Sequence, residues 1–278
     1  MAQLDSPALQ GVTVGIIGGG SMGGSIARGL VQSGALPGSS VFVCDHNADK
    51  LAALAEVGIV TVADAASVLE KKPSVVVVAV KPQVIGPVLR QVAGAFEYSK
   101  EALVVSIAAG VTLGTLEAAV PGARVVRVMP NLPVSVRSGA TAVTGGCNAS
   151  AEDVELVRQL FATLGSAKVM REDQLDAEGA VVGCAPAYFA LMVDALTRAG
   201  VRAGLPAAAA REMVNATMLG VAESLKESGD HPRAYMERVT SPGGTTAAAL
   251  YELEPLLVQG AYDAIDAALA RTAELAQG

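Results

Sequence analysis

Between Val12 and Leu30, in V-T-V-G-I-I-G-G-G-S-M-G-G-S-I-A-R-G-L, the hydrophobic period changes partway along, and that change constrains the fold more than any other stretch. Val12, Val14, Ile16 and Ile17 form an apolar run of strand length, whereas Ile26, Ala27, Leu30 and Val31 recur at helical spacing. The switch falls on Gly18, Gly20 and Gly23, which stand at G-x-G-x-x-G spacing. In a strand-turn-helix unit the first such glycine permits the tight turn, the second lets backbone approach a pyrophosphate, and the third lets helix and strand pack closely. A helix beginning near Met22 aims its unpaired N–H groups and the positive end of its dipole at the same point. A chain with 30 glycines will match such a spacing by chance. What makes this one specific is its context, a strand before and a helix after, close to the start of the chain.

A length of 278 residues accommodates one large domain or two ordinary ones. Half the residues are hydrophobic, aromatics are 3%, and there is no Trp, so the core must be built from Val, Ala, Leu and Ile. That palette suits parallel strands covered by helices on both faces. A net charge of -7 leaves no basic stripe to displace counterions from a nucleic acid. Cys44, Cys147 and Cys184 are odd in number, have no close pair and show no metal spacing, which points to a reducing compartment. The opening M-A-Q-L-D-S-P lacks the basic and apolar regions of a signal peptide. Apolar reaches such as Ser74 to Val80 are strand-sized and too short for a bilayer. These features predict a cytoplasmic protein with neither a nucleic-acid nor a membrane partner. No metal site is expected, since His46 and His231 lie far apart and no Cys/His cluster exists.

Alternation of strand and helix continues to Met170. Val41 to Cys44 reads as a strand and is followed by Asp45, 22 residues past Gly23, near the distance at which an acid takes the ribose 2'-hydroxyl of NAD. Asp45 or Asn47 could equally cap the next helix, Ala48 to Val57. At the ribose, Asp45 would repel a 2'-phosphate and favour NADH over NADPH, with His46 softening the effect. Ile59 to Val62 is edge-like, and Ser74 to Val80 is a central strand that leaves the sheet at Lys81-Pro82, placing a cation at the ligand-binding edge. Then come a helix from Val84 to Phe96, a strand from Leu103 to Ile107, and the small-residue corner Ala108-Ala109-Gly110. A strand from Arg124 to Met129 is expected to stop at Pro130-Asn131-Leu132-Pro133, because two prolines forbid a continuing ladder. Ala140 to Thr144 and Ala167 to Val169 read as strands around a helix from Ala151 to Thr163.

Beyond Met170 the pattern is helical. Phe189, Met192, Val193 and Leu196 fall on one face, Asp194 and Arg198 pair at i, i+4, a helix after Pro206 runs to about Ser228, and a terminal helix spans roughly Leu256 to Leu275. The fold class is therefore an α/β Rossmann domain, residues 1–170, followed by an all-α domain, residues 171–278. Alanine runs at 207 to 210 and 247 to 249 fit close packing against a second subunit or simply high helix propensity.

In Ser241-Pro242-Gly243-Gly244-Thr245-Thr246, a rigid turn opens a helix, bringing successive N–H groups and two hydroxyls to one point. In form this is a carboxylate cradle, though an N-capped helix after a loop has the same pattern. A helix dipole contributes only ~0.3 to 1 kcal/mol, or ~2 when partly buried. Micromolar binding takes about 8 kcal/mol. Direct charge-assisted hydrogen bonds of roughly 1.5 to 3 kcal/mol each would have to do most of the anchoring.

Along nearly its whole length the chain resembles the pyrroline-5-carboxylate reductase family. The residues carrying the resemblance are G-G-G-S-M-G (18–23), A-V-K-P (79–82), A-A-G-V-T (108–112), M-P-N-L-P (129–133), C-A-P-A-Y (184–188), H-P (231–232) and S-P-G-G-T-T (241–246), the last being the most specific. The resemblance implies a helical domain that interlocks with a second copy into a homodimer or higher homo-oligomer. It implies hydride transfer from NADPH or NADH to the C=N bond of 1-pyrroline-5-carboxylate, a cyclic imine acid, giving L-proline. Carried over, the cofactor positions are Ile17, Gly18, Gly19, Gly20, Ser21, Met22, Gly23, Asp45, Val80, Lys81, Pro82, Ala108 and Ala109. The substrate positions are Glu172, Gly243, Gly244, Thr245 and Thr246, with Thr246 bonding the ring nitrogen as the catalytic residue. An unionised hydroxyl is a poor acid, so this role is orientation of an imine protonated from elsewhere.

The chain departs from the family's usual S-G-S-G-P-A-Y, which reads Val182-Gly183-Cys184-Ala185-Pro186-Ala187-Tyr188. A usual lysine is Met236, and a cofactor-reaching asparagine is Ala65. A related five- or six-membered imine acid is an alternative substrate. A β-hydroxyacid dehydrogenase would want a lysine between Pro186 and Arg198, where there is none. A non-catalytic nucleotide-binding protein is the third alternative.

Overall fold

The computed structural model describes residues 9–95 and 102–277. The N-terminal stretch through Pro7 and the expected helix end at Phe96 lie outside the described residues. By its internal contacts the chain divides into two compact units, residues 1–184 with 269–278, and residues 185–268.

The first unit is built on an eight-stranded sheet: β1 (Val14–Ile17), β2 (Val41–Cys44), β3 (Val60–Thr61), β4 (Val75–Val78), β5 (Leu103–Ser106), β6 (Arg124–Pro130), β7 (Gly139–Gly145) and β8 (Gly165–Val169), in spatial order β3-β2-β1-β4-β5-β6-β7-β8. The first six run parallel, β7 is antiparallel to β6, and β8 is parallel to β7. Parallel strands need crossovers, here α1 (Ser21–Gln32), α2 (Ala48–Ala55), α3 (Ala65–Glu70), α4 (Pro82–Ala95) and α5 (Leu113–Ala119), with α6 (Ala151–Ala162) between β7 and β8. Every residue of β1, β4 and β5 is buried, as strands covered on both faces must be. Two apolar clusters fill the two faces: Ile16, Ile26, Val43, Leu103 and Leu164 belong to one, and Ile17, Val76, Leu89, Val104 and Leu116 to the other.

The sheet unit departs from the sequence reading at Pro130 and at two helices. Pro130 belongs to β6 instead of ending it, in register with Thr141. Asn131 donates its N–H to Ala140 O on β7, so Pro130's nitrogen faces the other side, where β5 has already ended opposite Arg127 and no donor is missed. Helices α3 and α5 were not anticipated. Both are short and begin at side-chain caps, Asp64 accepting from Ser67 N–H at 2.8 Å and Thr112 from Thr115 N–H at 3.2 Å.

Residues 172–184 leave the sheet as a single 3₁₀ turn at Glu172–Gln174, then α7 (Leu175–Glu178) and a π-helical turn, Gly179–Gly183. Helix α8 (Ala185–Arg202) follows, then α9 (Ala207–Ser228), α10 (Pro232–Arg238) and α11 (Thr245–Gln277). Helix α11 joins what reads in sequence as two helices, because Pro255 removes one ladder bond without ending the helix. The expectation that apolar reaches stay strand-sized is also corrected. Helical residues 172–202 include an 18-residue window of mean hydropathy 1.6, long and apolar enough by composition to cross a membrane. Asp194 and Arg198 do pair, at 2.8 Å. Among the described residues of 185–268, only Ala210 is buried.

Candidate functional site

The glycine turn is forced by β1, β2 and β4. Gly18 donates its N–H to Cys44 O at 2.9 Å and has φ +106, and a Cβ there would lie 2.6 Å from Ala79 O. Gly18 is therefore glycine for reasons internal to the fold. Gly20, the N-cap of α1, is different: its φ of -65 suits any residue, and a Cβ would meet nothing within 4 Å. Open space above an unstrained glycine fits the close backbone approach of a pyrophosphate. The first ladder bond of α1 runs from Gly24 N–H to Gly20 O, so the N–H groups of Ser21, Met22 and Gly23 precede it, and no acidic residue in the first turn competes for them. Ile17 is buried in β1, Ser21 is exposed and Met22 half-buried.

Asp45 follows β2 beside this turn; a Cβ on Gly19 would lie 3.3 Å from its Cβ. Its Oδ1 accepts Asn47 N–H at 2.9 Å, and Lys50 Nζ stands 4.0 Å away. The cap of α2 is Asn47, whose Oδ1 accepts Lys50 N–H at 3.1 Å. Of the two readings of Asp45, capping is thus taken by its neighbour. Val80 is half-buried after β4, exposed Lys81 follows, and Pro82 opens α4. Ala108 is buried in the core with its N–H on Ser106 Oγ at 3.3 Å, while Ala109 is exposed just before Gly110, which has φ +73. All these positions lie at the carboxyl ends of parallel strands, where open α/β sheets bind ligands.

The same edge carries a polar cluster around Glu172, whose other members sequence reading missed. Arg127 is 2% exposed on β6; its Nη1 reaches Glu172 Oε1 at 3.4 Å, its Nη2 reaches Asp176 Oδ1 at 3.0 Å, and its Nε is buried without a partner among the described residues. Glu172 Oε1 also accepts Leu113 N–H at 2.5 Å. Glu172 is therefore tied to β6 and α5 within the first unit. Asn131 donates Nδ2–H to Val182 O at 3.2 Å and accepts Ala140 N–H at 2.9 Å. Glu178 is buried, its Oε2 has no partner among the described residues, and burial pushes its carboxyl up to about 7. An arginine inside the apolar run R-V-V-R-V-M-P and a glutamate abutting G-A-V-V were the sequence signals.

In the helical unit, Gly244 N–H bonds Ser241 O at 3.0 Å and Gly243 has φ +70, a tight turn with Pro242 at its second position. Ala248 N–H bonds Gly244 O, so the N–H groups of Thr245, Thr246 and Ala247 precede the ladder of α11. Thr245 is exposed and Thr246 half-buried. Beside them, Thr240, Ala247, Tyr251 and Val258 line an open groove of about 770 Å³.

A mostly parallel sheet with an open glycine turn and an acid after its second strand, joined to an all-helical unit, defines a dinucleotide-dependent oxidoreductase of the Rossmann class. The chain is 38% identical to a pyrroline-5-carboxylate reductase of Pisum sativum over 95% of this chain and 96% of that one, and 37% identical to one of Corynebacterium melassecola over 95% and 98%. It belongs to the pyrroline-5-carboxylate reductase family. Residues 172–275 match the family model for pyrroline-5-carboxylate reductase dimerisation, and 13–110 match that for NADP oxidoreductase, coenzyme F420-dependent. Among solved structures, a pyrroline-5-carboxylate reductase from Coxiella burnetii superposes with a TM-score of 0.87 at 32% identity, covering 95% of this chain and 98% of that one. A Plasmodium falciparum pyrroline carboxylate reductase with NADP bound gives 0.84 at 26% identity, with 96% and 98% covered.

Proposed function

We propose that this chain reduces the C=N bond of 1-pyrroline-5-carboxylate to give L-proline, using NADPH or NADH. The observation that carries the reading is the match to pyrroline-5-carboxylate reductases over 95% of the chain, spanning both the glycine turn and the Ser241–Thr246 turn. When bound, the reduced nicotinamide supplies the hydride. The N–H groups of Ser21, Met22 and Gly23 hold the pyrophosphate, and Val80, Lys81, Pro82, Ala108 and Ala109 border the cofactor. The N–H groups after Gly243 and Gly244, with the Thr245 hydroxyl, hold the substrate carboxylate, and Thr246 orients the ring nitrogen. Such positioning supplies most of the catalysis, since the cofactor brings the chemistry. Glu172 acts on the substrate side through its place between Arg127 and α5.

The working form is a homodimer or higher homo-oligomer, with residues 171–278 as the assembling part. Phe189, Leu191, Met213, Leu219, Tyr251 and Leu256 are all at least 60% exposed, large apolar side chains of the kind an interface between copies covers. A second copy of the helical unit would cover it, including the apolar face of residues 172–202. The location is the cytoplasm, with no nucleic-acid or membrane partner, in keeping with the net charge of -7 and three free cysteines. Purified protein mixed with the cyclic imine acid and either reduced nicotinamide should consume the cofactor and release proline; no turnover with either cofactor would overturn the reading.

A further inference from the structure

We propose that Glu178 is a proton-holding positioning residue: its buried carboxyl, whose Oε2 meets no partner among the described residues, keeps the π turn Gly179–Gly183 seated on Asn131, so that the reaction runs with Glu178 protonated and slows as it ionises. The activity part rests on the reductase reading; the structural part does not.

Glu178 closes α7 one turn after Leu175, on the same helix face. Leu175 is fully buried in a cluster with Met129 and Ala142, and the next residue, Gly179, sits against Met129, whose Cε would lie 3.5 Å from an added Cβ. Glu178 is 8% exposed, and no donor among the described residues meets its Oε2. A neutral carboxyl tolerates such a place, whereas a carboxylate does not. The charges on the elements around it are occupied elsewhere. Asp176 on α7 and Glu172 on the preceding turn face Arg127 of β6, Arg171 pairs with Asp173, Arg124 pairs with Asp153, and the π turn itself has no ionisable side chain before Cys184. Burial alone raises the Glu178 carboxyl, with no charged neighbour contributing.

What yields when Glu178 ionises is the segment after it. A π turn is a rare and poorly bonded geometry, often found at functional sites. This one is closed by Cys184 N–H to Gly179 O at 3.0 Å and contains two glycines. Its side-chain tether is Asn131 Nδ2–H to Val182 O, at the end of β6 and on the edge that carries the glycine turn. Bringing a charged Glu178 to water turns the end of α7 and pulls Val182 from Asn131, loosening the strand end beside the cofactor edge.

The test is the pH profile of kcat/KM for the cyclic imine acid from about pH 6 to about pH 9, in the wild type, Glu178→Gln and Glu178→Leu, joined to hydrogen exchange at residues 179–184 read by mass spectrometry. The wild type should lose activity several-fold more steeply than Glu178→Gln, which mimics the protonated form. The ratio of the two should follow one ionisation. Exchange at 179–184, corrected for intrinsic rates, should rise with pH in the wild type and stay flat in Glu178→Gln. Superimposable profiles, or exchange independent of pH in the wild type, overturn the proposal. Should no protein turn over the imine at any pH, the reductase reading fails while the exchange comparison still decides on Glu178, and the wild-type exchange alone decides if the variants do not fold.

Discussion

Asn131 Nδ2 lies 3.2 Å from Val182 O, and through that one bond the end of β6 holds the π turn that precedes α8. The same side chain accepts Ala140 N–H at 2.9 Å, so a single buried amide joins two strands to the segment entering the helical unit.

Asn131→Ala leaves Ala140 N–H and Val182 O without their partner. Ala140 and Val182 are half-buried, so each orphaned group costs near the lower end of about 1 to 3 kcal/mol, and a loss of roughly 2 kcal/mol is expected. Denaturant unfolding followed by circular dichroism would measure it; a loss under about 0.5 kcal/mol, the range of an ordinary surface change, would mean that water replaces both bonds.

Asp45 and Asn47 have separable roles. Asp45→Ser removes the carboxylate proposed to meet the ribose and should move the kcat/KM ratio toward NADPH by about tenfold, the equivalent of roughly 1.4 kcal/mol. Asn47→Ala removes the cap of α2, costing about 1 kcal/mol of stability and leaving that ratio alone. If the two variants exchange these behaviours, Asp45 is the structural residue.

Thr246→Ala should lower kcat with little change in the Kd for reduced cofactor, because the hydroxyl is proposed to bond the ring nitrogen. Stopped-flow turnover with a fluorescence titration of cofactor separates the two. Undiminished turnover removes Thr246 from the reaction.

Glu178 also predicts a pH dependence of stability. Its folded carboxyl is raised from 4.5 to about 7, so between these values the folded chain holds a proton that the unfolded chain has lost. Its contribution is present in full below about 4.5 and is lost as pH rises through about 7, so Glu178→Gln should match the wild type near pH 4 and exceed it near pH 8. At about 1.4 kcal/mol per pKa unit, the gain is bounded at roughly 3 kcal/mol. Melting curves at the two pH values check it, and a constant difference would show that the carboxyl finds a donor.

The order of strands and the glycine turn were legible because each depends on neighbours in the chain. Alternation and period reveal burial on both faces of β1, β4 and β5, and a 3.6-residue period marks α1, α6 and α8. The family motifs were likewise local runs. Pro130, read locally, ends a strand; only the sheet shows that β5 stops short of it, so that its missing N–H has nothing to bond. Pro255 reads as a break, yet the rest of α11 continues past one lost bond.

The sequence by itself determined the fold class, the glycine turn and the family, since these rest on spacing along the chain. Tertiary structure alone decided that Asn47 frees Asp45 from capping, that Arg127 gathers Glu172 and Asp176 from 45 and 49 residues away, and that Glu178 Oε2 meets no partner among the described residues. The physical reason is that a charge's state is set by what surrounds it in space, and residues distant in sequence supply that surrounding.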